Sequence, residues 1–332
     1  MTFWDQVVAM ATSPLMQRAV LAAVLVGAAA PVVGTFLVQR RMALMGDGIG
    51  HVALTGVALG WLVGSWAGLV PNGALAVPGA VVAAVVGSVV IELVRERGRT
   101  TGDLALALMF YGGIAGGVLL IKIAGGTNAN LMAYLFGSIS TVSPTDLVWT
   151  VALAAVVLSV GVGLRTALYA VSHDEEFARA SGLPTRALAM VVAVLAAVTV
   201  TVAMRVVGLL LVSALMIVPV AVAQLYARSF GRTMATASGV GVAVSVVGLV
   251  LTYWNDIPPG ATIVVLAIAL YAASAALRPV LRRRATASDP HPDMVDDVLL
   301  ADSDEECRPP EHVRSRHREP VRTPDAQGAP EA

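Results

Sequence analysis

Residues 187–226 read ALAMVVAVLAAVTVTVAMRVVGLLLVSALMIVPVAVAQLY, and Arg205 is the only charged residue among them. A helix needs about 20 apolar residues to cross the roughly 30 Å of hydrocarbon in a bilayer. The stretch is long enough for two crossings, one on each side of Arg205. Because almost no turn separates the two halves, we expect part of the region to be a broken helix that lines a cavity.

The whole chain shares this apolar character. Hydrophobic residues make up 57% of it and charged residues 13%, and its mean hydropathy is +0.78. Such a composition is that of an integral membrane protein and excludes a water-soluble globule. We predict an all-α, polytopic membrane protein with eight or nine transmembrane helices, from nine apolar runs: Leu15–Val38, Ile49–Leu69, Leu75–Val94, Leu104–Ile121, Leu147–Leu164, Ala187–Met204, Val206–Tyr226, Ala235–Tyr253 and Ala261–Leu277.

Basic residues lie mainly in alternate connections between these runs. By the positive-inside rule those connections are cytoplasmic. The N-terminus then lies on the outer side of the plasma membrane and the C-terminal tail on the cytoplasmic side. The basic residues concerned are Arg40, Arg41, Arg95, Arg97, Arg99, Arg165, Arg179, Arg186, Arg228, Arg232, Arg278 and Arg282 to Arg284.

Residues 128–141 form an apolar segment that is too short to span the membrane. It predicts either a short or re-entrant helix packed against protein, since exposed backbone in lipid is costly, or a helix lying in the interface.

A change in composition divides the chain at residue 284. Residues 1–284 carry 17 Arg or Lys against 10 Asp or Glu, whereas residues 285–332 carry 5 against 12. We predict a transmembrane domain followed by a disordered, acidic cytoplasmic tail. The spacing of the possible zinc ligands in the tail is too irregular to favour a metal sensor there; these are His291, Cys307, His312 and His317.

Motifs for chemistry on nucleotides or acyl groups are missing from the sequence. It contains no phosphate-binding loop, no H-E-x-x-H helix and no G-x-S-x-G turn. We therefore predict that the protein is not an enzyme, and that any ATP it depends on is hydrolysed by another chain.

Asp47 and His51 are the candidate metal ligands. They lie four residues apart where the second apolar run begins, so on a helix they share one face. Ionisable groups in a membrane helix are costly and usually functional, and a carboxylate with an imidazole is a partial site for zinc or manganese. The alternative is structural: Asp47, between Gly46 and Gly48, would be an N-cap, and His51 would bond a neighbouring helix.

The loop at residues 172–185 is predicted to contain a short helix. Ser172 or Asp174 would start it, with acids such as Glu175 in its first turn, and Gly182 would end it. Asp174, Ala178 and Gly182 recur every four residues and would form a narrow face for a groove on a cytoplasmic partner. A capped surface helix without a partner is the alternative.

Four segments together resemble the metal-cation permease family of ATP-binding-cassette importers, which serves zinc, manganese and iron. The resemblance spans roughly residues 10–278. Within the family the chain most resembles the zinc importers, although many relatives have Pro where this chain has Thr55. The segments are residues 40–60, with Gly-Asp and His at Gly46, Asp47 and His51, residues 174–182, residues 208–219 and residues 256–260.

The resemblance implies a homodimer of permeases with two cytoplasmic ATPase subunits and an extracytoplasmic metal-binding protein. Asp47 and His51 of both copies would form the metal pathway near the twofold axis, with zinc the first choice of metal and manganese the second. The coupling loop to the ATPase would contain Asp174, Glu175, Ala178 and Gly182. No permanently bound cofactor is implied.

Two rival functions come from other classes. In an ion-coupled secondary transporter Asp47 would be a protonation site, but such folds show two related halves, and residues 46–51 have no second copy. A membrane-embedded metalloenzyme would need a nucleophile or further ligands beside Asp47 and His51.

Overall fold

The computed structural model describes residues 12–68, 75–97, 102–125, 134–137, 143–253 and 257–286. Within these residues the chain is helical and has no strand. The helices, numbered α1 to α11 in chain order, are Pro14–Gln39, Met45–Trp66, Ala76–Glu96, Gly102–Ile123, Pro144–Gly163, Arg165–His173, Glu175–Ala180, Thr185–Val207, Leu209–Tyr226, Phe230–Tyr253 and Pro259–Thr286. A short helical turn covers residues 134–136.

Nine of the described helices are long and apolar enough to cross a membrane. Each coincides with one of the nine predicted runs, so the predicted fold class is confirmed. Of the remaining two, α7 falls in the loop at residues 172–185 that was predicted to hold a short helix, and α6 precedes it, reaching the loop only with its last two residues. The predicted tail lies outside the described residues apart from Ala285 and Thr286, which end α11.

Helices α1, α2 and α8 form the centre of the bundle. In each of them more than 60% of the most apolar window is buried within the chain, against 28% in α4 and 17% in α11. A helix that is apolar on all sides gains nothing from water exclusion inside a bilayer, so the central helices must be held by close packing. The exposed faces of α4 and α11 are left for lipid or another protein.

Glycines permit the closest of these contacts. Gly27 of α1 and Gly241 of α10 face each other so closely that a Cβ on Gly27 would lie 2.9 Å from the Gly241 oxygen. Gly56 and Gly79 hold α2 against α3 in the same way. Gly113 of α4 lies against the backbone of His51, where an added Cβ would be 2.7 Å from the His51 carbonyl carbon. Helix α2 is therefore packed between α3 and α4, backbone against backbone.

Helices α8 and α9 meet at a single residue, Gly208. Its φ of 85° and ψ of 154° are open only to glycine. The break predicted at Arg205 is thus present, three residues later, because α8 continues to Val207. The predicted cavity is small: about 20 Å³ of apolar space lies between this junction and residues 136–137, enough for about one water molecule.

The 134–136 turn packs closely on this junction. A Cβ on Gly137 would come within 2.5 Å of the Val207 carbonyl carbon, and the Tyr134 ring lies 5.8 Å from that of Trp61. This part of the predicted short segment at residues 128–141 is packed against protein, and the rest of the segment lies outside the described residues.

We expect Gly113→Ala to destabilise the protein and Gly112→Ala to leave it as stable or more so. The Gly113 methyl group would collide with α2, and overpacking of this kind costs about 1–3 kcal/mol. Gly112 has no atom within 4 Å of its added Cβ, and an exposed Gly→Ala change in a helix gains up to about 1 kcal/mol. Thermal unfolding of the two variants in detergent measures the difference. Equal melting temperatures would contradict the close α2–α4 packing.

Candidate functional site

Asp47 and His51 lie one turn apart near the start of α2. His51 Nε2 is 3.7 Å from Asp47 Oδ1, and the side chains are 9% and 24% exposed. Helix α2 begins at Met45, four residues before the predicted run, and its N-cap is Leu44, which makes no side-chain cap. The interpretation of Asp47 as an N-cap is therefore wrong: Asp47 sits inside the first turn and its carboxylate faces His51.

The His51 ring is held by α4. Phe110 contacts it edge to face, with 4.6 Å between the ring centroids, and the buried Nδ1 atom has no hydrogen-bond partner within the described chain. Thr55 fixes the same contact, since its hydroxyl donates to the Gly113 carbonyl at 2.8 Å. The alternative interpretation, in which His51 bonds a neighbouring helix, thus has no bond to support it among the described residues.

The described residues of one chain offer too few His, Cys, Asp or Glu side chains for a complete metal site at this position. No group of three or more His, Cys, Asp or Glu residues that could hold a metal occurs in the described part of the chain. One carboxylate and one imidazole fit a divalent transition metal, but at least two further donors are needed for a tetrahedral site. Water, a partner or a second copy would be able to supply them.

The predicted topology receives support from ion pairs at one end of the bundle. Arg40 pairs with Glu92, Arg95 with Glu175, and Arg186 with Glu96. These pairs bring together the α1–α2, α3–α4 and α5–α8 connections, as an alternating topology requires. We call this end, which carries Arg40, Arg95, Arg179 and Arg186, the basic end.

At the basic end, five charged residues form a connected set that we call the basic-end network. Glu92 is fully buried, and its Oε1 atom accepts from Arg40 at 2.8 Å and from Arg95 at 2.7 Å. Arg95 also reaches Glu175 at 3.1 Å, and Glu175 pairs with Arg179 at 3.2 Å. The network joins the residue that follows α1, the end of α3 and the first residue of α7.

Sequence reasoning missed this network, although Glu92 carried a signal. It is an acid within an apolar run, and an acid in a membrane span requires a partner. Arg40 and Arg95 were interpreted only as topology markers.

Helix α7 has the capping that the sequence predicted. The Asp174 carboxylate accepts from the Phe177 N–H at 2.9 Å, and acids occupy the first turn. At the other end Gly182, with a φ of 79°, closes the helix by donating its N–H to the Arg179 carbonyl.

The predicted partner-facing side of α7 is wrong for one residue. Ala178 is fully buried against the chain itself, so it cannot contact a partner. Alanine allows α7 to lie close to the bundle, and this turns Phe177 outward, where it is 67% exposed. A spacing of four residues indicated a common face without indicating which way it points.

A smaller cluster lies at the opposite end of the bundle. Asp146 closes a capping box with Ser143 at the start of α5, and its other oxygen is 3.3 Å from Arg205. Burial raises the pKa of the nearby Tyr134 hydroxyl, an effect that Arg205 opposes and Asp146 reinforces. The tail residues His291, Cys307, His312 and His317 lie outside the described residues.

Comparison with known proteins gives consistent matches over most of the chain. The model of the ABC 3 transport family matches residues 12–278. The chain is 31% identical to the manganese transport system membrane protein MntC of Halalkalibacterium halodurans, over 81% of this chain and 88% of that one. It is also 31% identical to the manganese import system permease protein ScaB of Streptococcus parasanguinis, over 83% and 95%.

A solved structure shares the fold. PsaBC from Streptococcus pneumoniae in complex with Fab matches with a TM-score of 0.71 and 30% identity, over 82% of this chain and 95% of that one.

Proposed function

The chain belongs to the ABC 3 transport family, and we propose that it is the permease subunit of an importer that moves a divalent transition metal into the cell. The observation that carries the proposal is the pair of Asp47 and His51, one turn apart at the start of a membrane helix. The sequence holds no nucleotide-binding motif, so a separate cytoplasmic ATPase supplies the energy.

The remaining metal ligands come from a second copy of the chain. Two copies related by a twofold axis would contribute two carboxylates and two imidazoles, a complete set for zinc or manganese. The 24% exposure of the Asp47 side chain and the largely exposed helix α4 support such an arrangement. Since Asp47 must be ionised and His51 neutral to bind, metal binding weakens in acid.

Manganese is the first choice of metal. The sequence alone favoured zinc, but two relatives at 31% identity are named for manganese. The Asp47 and His51 donors suit both metals. Zinc remains the second choice, and iron the third.

The loop at residues 172–185 is the docking site for the ATPase. Its helix α7 lies at the basic end, which the positive-inside rule assigns to the cytoplasm, and Phe177 is the exposed aromatic anchor. Asp174 and Gly182 lie at the two ends of the helix. Glu175 pairs with Arg95 of α3, and the buried Ala178 packs the helix against the rest of the chain. A metal-binding protein delivers the cargo at the opposite, extracytoplasmic face of the plasma membrane. The transmembrane domain spans residues 1–284. Residues 285–332 form a cytoplasmic tail.

We expect uptake of labelled Mn²⁺ in cells that lack their own importers when this chain is expressed with its ATPase and metal-binding protein. Omission of any one component should abolish uptake, because no component can complete the cycle alone. Parallel assays with Zn²⁺ and Fe²⁺ rank the metals. Uptake by this chain alone would instead show an ion-coupled secondary transporter.

Asp47→Asn and His51→Ala should each lower the rate of metal uptake at least tenfold, because each removes a ligand from both copies. The assembled complex should retain its subunits, as measured by co-purification. Ser245→Ala, which changes a buried polar side chain of α10, is the matched control and should transport normally. Normal uptake by a folded, assembled His51→Ala variant would contradict the placement of the metal site.

Phe177→Ala should weaken binding of the ATPase without altering the stability of the permease, because Phe177 contacts little of its own chain. Loss of a buried aromatic anchor costs about 1.5–3 kcal/mol, so we expect binding to weaken roughly tenfold to hundredfold. The affinity of detergent-solubilised permease for the purified ATPase measures this. The control is Trp66→Ala, which removes an exposed aromatic side chain at the end of α2 that lies away from the basic end. Equal affinities would show that the ATPase docks elsewhere.

A further inference from the structure

We propose that Glu92 and Arg95 are positioning residues that connect the ATPase-docking helix to the metal site. In this inference, displacement of α7 by the ATPase moves Arg95 and Glu92 on α3, and Glu92 moves Arg40 at the start of the α1–α2 turn. The turn leads directly to Asp47. The inference rests on the proposed function, and it names the residues by which ATP hydrolysis controls the Asp47 and His51 pair.

The contacts run without a gap from α7 to α1. Glu175 Oε2 is 3.1 Å from Arg95 Nη2, and the same Arg95 nitrogen is 2.7 Å from Glu92 Oε1. That oxygen is 2.8 Å from Arg40 Nη2. Arg40, the C-cap of α1, and Arg95 of α3 thus bond to the same carboxylate oxygen. A movement of either arginine therefore shifts the other through Glu92.

Burial makes the inner part of this network stiff and its outer part adjustable. The side chains of Glu92 and Arg40 are 0% and 3% exposed, and an ion pair removed from water is screened little by solvent and salt. Arg95 and Glu175 are each more than a quarter exposed. A displacement of α7 can therefore change the outer contact, while the Arg40–Glu92 pair is too costly to separate.

The buried pair also has a second arrangement available. Arg40 Nη1 and Glu92 Oε2 have no hydrogen-bond partner within the described chain, so the pair makes one of the two parallel bonds that a guanidinium and a carboxylate can form. A shift of Glu92 would convert the single bond to the two-bond form. Coupling between two sites requires a structural element with two discrete arrangements. In this inference the Arg40–Glu92 pair is that element.

The turn after Arg40 is rigid enough to pass the movement on. Arg41 has a φ of 59°, in the left-handed region that a non-glycine residue enters at a cost. The turn is fixed by a bond from the Met42 N–H to the Leu37 carbonyl at 2.9 Å and by one from the Met45 N–H to the Met42 carbonyl at 3.0 Å. Both methionines are buried. Arg40 and the first turn of α2 therefore move together.

The same end of α3 carries an ion pair that can serve as a control. Glu96 lies one turn beyond Glu92 and pairs with Arg186 of α8 at 2.9 Å, and no ion pair or hydrogen bond among the described residues joins that pair to Arg40. Its arginine is 70% exposed. Glu92 itself is a poor test position because its substitution leaves a buried Arg40 charge without a partner.

The experiment measures Mn²⁺ transported per ATP hydrolysed by the complete complex in proteoliposomes. We expect Glu175→Gln and Arg95→Gln to hydrolyse ATP but to transport at least threefold less Mn²⁺ per ATP than the unaltered complex. The double variant should be no worse than the more impaired single one, since both break one connection. Glu96→Gln should keep the unaltered ratio. A merely structural role would reduce the amount of assembled complex without changing the ratio.

Each other outcome has a defined meaning. An unaltered ratio in assembled Glu175→Gln, or additive effects in the double variant, overturns the inference. If Glu175→Gln releases the ATPase, Arg95→Gln decides, because Arg95 lies on α3 outside the docking helix; a normal ratio there overturns the inference. Failure of the unaltered complex to transport any divalent metal with ATP would instead overturn the proposed function, and the inference with it.

Discussion

The position of α2 between α3 and α4 is the constraint on which the rest of the structure depends. A membrane helix gains little from leaving lipid for protein unless the backbones come close, and Gly56, Gly79 and Gly113 provide that approach on both sides of α2. The contact at Gly113 lies against His51 itself. Close packing thus meets the candidate metal site: the proposed ligand His51 lies in a closely packed stretch of the helix.

The nine spans could be predicted from sequence because hydrophobic length is a local property. The start of α2 could not, because the apolar run begins at Ile49 while the helix begins at Met45. Four residues of a polar, glycine-rich segment are helical because Met45 and Gly46 pack against the interior. This difference decided the interpretation of Asp47, which lies inside the helix and not at its cap.

The direction in which α7 faces and the partners of Glu92 depend on tertiary structure, so periodicity alone could not supply them. The four-residue spacing of Asp174, Ala178 and Gly182 does not give them one environment, because Ala178 is buried whereas Asp174 and Gly182 are exposed. Likewise, an acidic residue within a membrane span indicates that it has a partner but does not identify that partner. Arg40 is 52 residues away in the sequence, and only the fold brings it to Glu92.

The donors Asp47 and His51 cannot by themselves account for a preference for manganese. For a fixed set of nitrogen and oxygen ligands, manganese binds more weakly than iron or zinc, so a site that selected by affinity would fill with zinc. A transport site must also release its cargo, and tight binding would oppose release. If manganese is the cargo, as proposed, its selection would occur before the metal reaches α2, or through the geometry that two copies would impose on four ligands. A rigid α2, held by α3 and α4, is suited to impose such a geometry.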